Sequence, residues 1–415
     1  MTVHDSIADV FRGEYARVVA CALRIVRDVD AAEDVVQEAF AQALAHWPVS
    51  GVPDRPGAWL LTAARRRAID RVRRVRRADA RAEALAYETG LRAGDERPDV
   101  VDPESIPDDR LRLIFTCCHP ALAPDSRVAL TLRLVGGLST VEIARAFLVP
   151  EATIAQRLVR AKRTIRERGF VYEVPEGEEL AARLPAVLAV VYLIFNEGYT
   201  AHTGDTLLRE DLCTEAIRLG GMLAELMPAE SEVRGLLALM ELQASRGAAR
   251  VDVAGDLVLL ADQDRSRWDR AQIERGCRLV EGALRRGTPG AYVLQAAIAA
   301  VHATAATAAD TDWPQIAGLY DRLLVVAPTP VVALNRAVAI AFARDPASGL
   351  GEVDRLAGAL EDYFLFHSTR ADLLRRCGRT VDAAAAYRRA LELCRNEPER
   401  RFLEHRLREL AVDRQ

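Results

Sequence analysis

Two short helices and the break between them, in LSTVEIARAFLVPEATIAQRLVRAKRTIRERG from Leu138 to Gly169, constrain this chain more than any other stretch. Ser139 followed three residues later by Glu142 is the pattern of a capping box. A helix therefore starts there, with Ile143, Ala144 and Phe147 on its inner face. Val149 and Pro150 end it. A second helix begins near Glu151 and repeats Ile154, Leu158, Ala161 and Ile165 along one apolar stripe. A strongly basic helix after a short turn reads as a helix-turn-helix.

At about 100° per residue, the face opposite that stripe carries Gln156, Val159, Arg160 and Arg163, with Arg157 and Lys162 on its flanks. These side chains suit DNA. Gln pairs with adenine, Arg with guanine, a Val methyl meets the thymine methyl, and the remaining cations neutralise phosphate. The same residues also describe the solvated basic face of an ordinary core helix.

Half of the 415 residues are apolar and only 6% are aromatic, with Ala and Leu dominant, which favours closely packed helices. No sustained β-branched alternation appears, so the expected fold is all-α. The net charge of -4 hides a segregation. Nine Arg lie in residues 61–81 and six basic side chains in 151–170, so two nucleic-acid contacts are expected. Cys21, Cys117, Cys118, Cys213, Cys277, Cys377 and Cys394 form no CxxC pair and have the scatter of reduced, buried thiols. Cys117, Cys118 and His119 lack a second ligand pair, so no metal and no cofactor is expected. No signal-peptide pattern opens the chain, and the apolar run from Leu184 to Phe195 is too short to span a bilayer. A cytoplasmic protein is expected, with no membrane partner.

From the N-terminus, Asp30 and Glu33 suggest a capping box for a helix that buries Val36, Phe40, Ala43 and Leu44. Asp34, Gln37, Glu38 and Gln42 face outward, either as solvated surface or as a protein-docking face. His46 to Gly57 reads as a turn-rich loop. A long helix then runs from about Ala58 to Arg77, with Leu61, Ala64, Ala68, Val72 and Val75 as its buried stripe. Arg66, Arg67, Asp70, Arg73, Arg74 and Arg77 lie opposite. Trp47 and Trp59 flank the loop, either as core packing or as a stacking site for unpaired bases. Residues 78–107 form a polar, acidic stretch that reads as a flexible linker leaving the basic modules on either side free to bind. A compact segment resumes at Asp108, through Leu111, Ile114, Phe115 and Cys118, then Val128, Thr131, Leu132 and Val135.

The order AEDVVQEAF (32–40), PGAWLLTAARRRAIDRVRR (56–74), an acidic linker and LSTVEIARAFLVPEATIAQRLVRAKRTI resembles regions 2 and 4 of the extracytoplasmic-function (ECF) sigma factors of bacterial RNA polymerase. The resemblance covers about the first 170 residues. It implies that Asp34, Gln37 and Glu38 dock on the clamp helices of the polymerase largest subunit. It also implies that residues 47–74, with Trp59, Arg66, Arg67, Asp70, Arg73 and Arg74, capture and open the -10 element. Gln156, Arg157, Val159, Arg160, Lys162 and Arg163 would read the -35 element. Two positions depart from the family pattern. Arg65-Arg66 stands where an Arg-Asn pair is common, and Ala155 where Arg is frequent, which shifts the -35 contacts towards Gln156, Arg157 and Arg160.

Beyond Phe170 the chain continues as helical stretches broken by Gly, Pro and Asp. Gly378, Ala383, Tyr387 and Ala390 have the spacing of a tetratricopeptide helix pair, and Tyr320 with Pro328 repeats the unit about two repeat lengths earlier. LIFNEGYT (193–200) extends the resemblance to a sigma subgroup whose C-terminal tetratricopeptide-like extension carries an FNEGY motif. Asn196, Glu197 and Tyr199 either line a regulatory ligand or peptide pocket, anchor the sigma domains, or cap neighbouring helices, and Asp262, Asp264 and Trp268 invite the same alternatives. The expected domains are region 2 (1–77), linker (78–107), region 4 (108–170) and a regulatory helical domain (171–415). The expected function is promoter recognition for core RNA polymerase, with no reaction of its own. The extension would regulate it, by contacting the sigma domains or by taking a partner. The alternative is a helix-turn-helix regulator with a tetratricopeptide sensor that works without polymerase.

Overall fold

The computed structural model describes residues 3–87, 106–147, 149–169, 172–199, 210–252, 256–394 and 397–412. They form helices and no ladder of strands, so the fold is all-α. Two compact units divide at Val190 and Val191.

The first unit opens with α1 (Val3–Val26), α2 (Val29–Ser50) and α3 (Pro56–Tyr87). Alanines make their close approach feasible: Ala20, Ala22, Ala32, Ala39, Ala43, Ala64 and Ala68 are all fully buried. Asp28 caps α2, accepting a hydrogen bond from the Ala31 N–H at 2.8 Å. The Asp30–Glu33 pattern is therefore not its capping box. Glu33 instead turns inward and is buried. Val36, Phe40 and Ala43 face the core as expected, but Leu44 lies 48% exposed. Pro48 falls in the last turn of α2, which continues through it until Gly51, at φ 83°, ends the helix. In α3 the buried stripe is Leu60, Ala64 and Ala68, while Leu61 and Val72 are half-buried and Val75 is exposed. The helix runs ten residues past Arg77. Residues 88–105, the rest of the expected linker apart from its last two positions, lie outside the described residues.

The same unit continues with α4 (Ile106–Cys117), α5 (Pro124–Leu134), α6 (Thr140–Ala146) and α7 (Glu151–Arg168). The Ser139–Glu142 box is reciprocal: Ser139 N–H donates to Glu142 Oε2 at 2.7 Å, and Glu142 N–H to Ser139 Oγ at 3.2 Å. Ile154, Leu158 and Ala161 bury α7 against α5, with Ile165 half-buried. Gly169, at φ 58°, closes it.

The two basic modules are not separate bodies. Helix α1 packs on α4 and α5. Between them Asp109 is 2% exposed, 3.3 Å from Arg24 Nε and 3.4 Å from Arg112. The Tyr172 hydroxyl lies 2.9 Å from the Asp109 carbonyl and 3.2 Å from that of Ala20. Burial among these groups pushes the Tyr172 phenol well above its usual value.

Helix α8 (Gly177–Tyr199) contains the division between the units. The second unit continues with α9 (Glu210–Leu226), α10 (Ser231–Ala244), α11 (Arg270–Leu284), α12 (Ala291–Thr304), α13 (Trp313–Val326), α14 (Pro330–Ala343), α15 (Pro346–Asp354), α16 (Phe364–Arg376), α17 (Thr380–Leu393) and α18 (Glu397–Val412). Consecutive helices pair: α10 with α11 and α12, α13 with α14, α16 with α17. Gly378, at φ 75°, turns α16 into α17, whose Ala383, Tyr387 and Ala390 are buried as their spacing implies. Asp269, Asp312, Thr329 and Asp345 cap α11, α13, α14 and α15.

Candidate polymerase and nucleic-acid interface

Helix α2 presents Asp34, Gln37 and Glu38 to solvent. Each carboxylate has an arginine of α3 beside it. Glu38 lies 2.5 Å from Arg67, which also reaches Gln42 at 3.4 Å, and Asp34 lies 3.1 Å from Arg71. Arg66, Asp70, Arg73 and Arg74 are exposed along the same helix.

Where α2 gives way to α3 there is a cavity of about 380 Å³, lined by Gln42, His46, Trp47, Ser50, Gly51, Val52, Pro53 and Trp59. The two tryptophans meet edge to face, with ring centroids 5.4 Å apart. They play different parts, because Trp47 is 1% exposed and forms the floor, whereas Trp59 is half-exposed at the wall. A partly exposed indole beside the Gln42 amide and the His46 imidazole, with the Arg67 guanidinium reaching Gln42, can stack on an unpaired base while cations of α3 hold its phosphate. Gln42 and His46 were not anticipated as part of this site. They sit one turn apart on α2 and both line the cavity.

On α7, Gln156, Val159, Arg160 and Arg163 point outward, and Val159 is 65% exposed. Arg157 is held 2.7 Å from Asp125, and its carbonyl accepts from Ser126 Oγ at 3.4 Å. Lys162 turns aside: its Nζ lies 2.8 Å from Asp30 and 2.5 Å from Glu33. Arg166 completes the contact, 3.2 Å from Asp28 and 2.7 Å from Asp30, and Arg133 of α5 lies 2.7 Å from Glu33. Burial raises the Asp30 carboxyl, but hydrogen bonds and charge from Lys162 and Arg166 outweigh it and hold the group below its usual value. Burial likewise lowers Lys162, and its two carboxylates outweigh that and hold it above its usual value.

The other candidates belong neither to the cavity lining nor to the outer face of α7. Cys117 and Cys118 are buried in the core, where burial pushes both thiols up, Cys118 to about 11. Tyr199 is clamped. Its hydroxyl accepts from Arg246 at 2.7 Å, the Arg250 guanidinium sits 3.7 Å over its ring, and its carbonyl accepts from Arg250. Asn196 hydrogen-bonds to Tyr192, and Glu197 is half-buried. Arg265, over the Trp268 ring at 4.5 Å, donates to the carbonyls of His302 and Ala305 at 2.7 Å each, so it satisfies the C-terminal end of α12. Asp264 caps the turn before Trp268, and Asp262 is exposed.

Residues 10–78 match the family described as sigma-70 region 2, and residues 112–165 match sigma-70, region 4. The helices α1–α3 with the cavity, followed by the helix-turn-helix, are thus the two conserved modules of a sigma-70-type factor. Residues 183–284 match a family of unknown function, DUF6596. The chain is 31% identical to the probable ECF RNA polymerase sigma factor SigI of Mycobacterium tuberculosis over 210 residues, covering 50% of this chain and 68% of that protein. It is 32% identical to the ECF RNA polymerase sigma factor SigK of Mycobacterium bovis over 172 residues, 39% of this chain and 86% of that protein. An uncharacterized protein of Rhizobium meliloti is 43% identical over 401 residues, 96% of this chain and 94% of its own length. The chain belongs to the ECF RNA polymerase sigma factors. Sigma factors are transcription initiation factors, and membership of this family implies core RNA polymerase and promoter DNA as partners. No helix among the described residues is long and apolar enough to cross a membrane.

Proposed function

We propose that Asp34, Gln37 and Glu38 dock on polymerase, that the Trp59 cavity with Arg66, Arg67, Asp70, Arg73 and Arg74 captures the opened -10 strand, and that Gln156, Arg157, Val159, Arg160, Lys162 and Arg163 contact the -35 element. The cavity carries this reading, because a helix-turn-helix regulator that leaves its duplex closed needs no aromatic wall beside an arginine helix. Stacking one base contributes about 1–3 kcal/mol. Trp59→Ala is therefore expected to lower run-off transcription with core polymerase roughly 5- to 150-fold, while Trp47 still supports the fold. Specific duplex binding by the protein alone, with no polymerase-dependent transcript, would instead favour a regulator working without polymerase.

Residues 171–415 are proposed to regulate the factor as a tetratricopeptide-like extension of the FNEGY subgroup. The Rhizobium meliloti relative supports this, since it shares nearly the whole length and so the extension too. A chain ending at Val190 keeps Tyr172 and Arg183, which donates to the Phe115 carbonyl at 3.0 Å within the first unit. Its transcription output is expected to differ from that of the full chain. Equal output per active molecule would remove the regulatory role.

A further inference from the structure

In the second unit a line of side-chain contacts crosses five helices from α11 to α16. Arg270, in the first turn of α11, donates to the Arg265 carbonyl at 3.4 Å, and Arg265 donates to the His302 carbonyl at 2.7 Å. The His302 ring meets Trp313 with centroids 5.1 Å apart, and Trp313 stacks on Phe342 at 4.3 Å with the ring planes 12° apart. The Arg376 guanidinium then lies over the Phe342 ring at 4.2 Å. Arg246 joins the first end of the line. The Asp269 N–H donates to the Ser245 carbonyl at 2.9 Å, which sets residues 246 and 270 on adjoining turns.

The line is cationic, and its charges lack counter-ions. Among the described residues no carboxylate forms an ion pair with Arg246, Arg265, Arg270 or Arg376, whereas their neighbours Arg275 and Arg375 pair with Glu241 and Asp372. The acids closest in sequence are engaged in turns: Asp264 accepts from Ser266, Asp269 from the Gln272 N–H and Asp310 from Thr307. Arg265 serves the carbonyls at the end of α12, and Arg246 the Tyr199 hydroxyl. Arg376 keeps Nη1 buried with no hydrogen-bond partner among the described residues. Burial, then the charges of Arg246 and Arg265, lower the His302 imidazole to about 4. Guanidiniums gathered in this way repel one another, and an anion from outside relieves the repulsion.

Two observations select the kind of anion. Residues 191–415 hold 28 Arg against 32 Asp and Glu, so the unit as a whole repels a long polyanion such as nucleic acid and attracts negative charge only locally. Phe342 is 42% exposed and Arg270 is exposed, so the line is an open strip rather than the enclosed pocket that a small molecule fills. Guanidiniums at both ends of an aromatic stretch suit carboxylates on either side of an apolar side chain. We propose that this strip seats an acidic peptide segment of a partner protein, with carboxylates on Arg246, Arg270 and Arg376 and an apolar side chain on Phe342. The peptide names the partner for the regulatory reading of residues 171–415, and its role as a signal rests on that reading.

The test is fluorescence anisotropy of a short labelled peptide of alternating glutamate and phenylalanine, titrated with the full chain at low salt. Arg270→Glu and Arg376→Gln are each expected to weaken binding about tenfold, the loss of one charge-assisted pair. Position 270 is exposed in the first turn of α11, where an acidic side chain suits the helix dipole, so Arg270→Glu keeps its fold. Arg285→Glu makes the same charge change at the other end of α11, where the side chain is 76% exposed, and should leave affinity within about twofold of the parent. Absence of binding by the parent, or equal weakening by Arg270→Glu and Arg285→Glu, would overturn the proposal. So would a single-stranded oligonucleotide that displaces the peptide and itself loses affinity in Arg270→Glu and Arg376→Gln, since the strip would then serve nucleic acid. Transcription output of the chain ending at Val190 separates the peptide site from the reading beneath it. Altered output with no peptide binding overturns the peptide site alone. Unchanged output, with peptide binding that depends on Arg270 and Arg376, supports the site and overturns the regulatory reading.

Discussion

Asp109→Ala is expected to destabilise the first unit by about 3–5 kcal/mol, because it removes one partner of a buried ion pair and leaves the other charge behind. The carboxylate is 2% exposed and Arg24, 3.3 Å away, is 14% exposed, so water cannot replace the lost partner at either group. An exposed pair behaves differently. Arg163 and Glu167, at 68% and 64% exposure, contribute about 0.5 kcal/mol or less, and Glu167→Ala should pass almost unnoticed. Position 109 also joins the two sigma modules, since Arg24 comes from α1 and the Tyr172 hydroxyl touches backbone on both sides. Urea unfolding followed by far-UV circular dichroism should therefore show an early transition for the first unit. A shift below about 1 kcal/mol would mean that Asp109 does not pin the modules together.

That buried contact marks where sequence reasoning stopped. Local patterns were readable: the Ser139–Glu142 box, the Ile154–Leu158–Ala161 stripe and the Gly378–Tyr387 hairpin each depend on residues within a few turns of one another. Asp30 and Glu33 have the same spacing as Ser139 and Glu142 and do something else. Asp28 already caps α2, and Glu33 is drawn to Arg133, 100 residues away. Nothing in nearby sequence announces such a partner. The cavity was half legible. Trp59 and the arginine helix stood out by composition, but Gln42 read as outward surface and His46 as the start of a loop, whereas α2 runs to Ser50 and both residues line the cavity. Exposed Leu44 and Val75 show the same limit, since a periodic stripe says which side of a helix is apolar and not how far the neighbouring helix covers it. The basic helices were found, but their internal counter-charges were not, so the modules read as free when they are held.

Acidification should weaken the second unit well before it disturbs the α2 contact. His302, at the end of α12, packs its ring edge to face on Trp313, with centroids 5.1 Å apart, and its Nδ1 is buried without a hydrogen-bond partner among the described residues. Burial, then the charges of Arg246 and Arg265, disfavour the imidazolium and lower the group to about 4. The unfolded chain binds this proton near pH 6.5, so between 6.5 and 4 it holds more protons than the folded one and stability falls as pH falls. A shift of that size corresponds to about 3 kcal/mol when complete and about 2 kcal/mol at pH 5. Asp30 has the opposite chemistry and a different window. Its carboxyl is held below the usual value, so its contribution persists down to about pH 4 and is lost only as pH drops through the depressed folded value. Replacing His302 with Phe keeps an aromatic edge on Trp313 and removes the titration. Thermal unfolding of the full chain at pH 7.5 and pH 5 should show a low-melting transition that moves down with acid in the parent and moves far less in His302→Phe. Equal displacement in both proteins would place the acid-sensitive proton elsewhere.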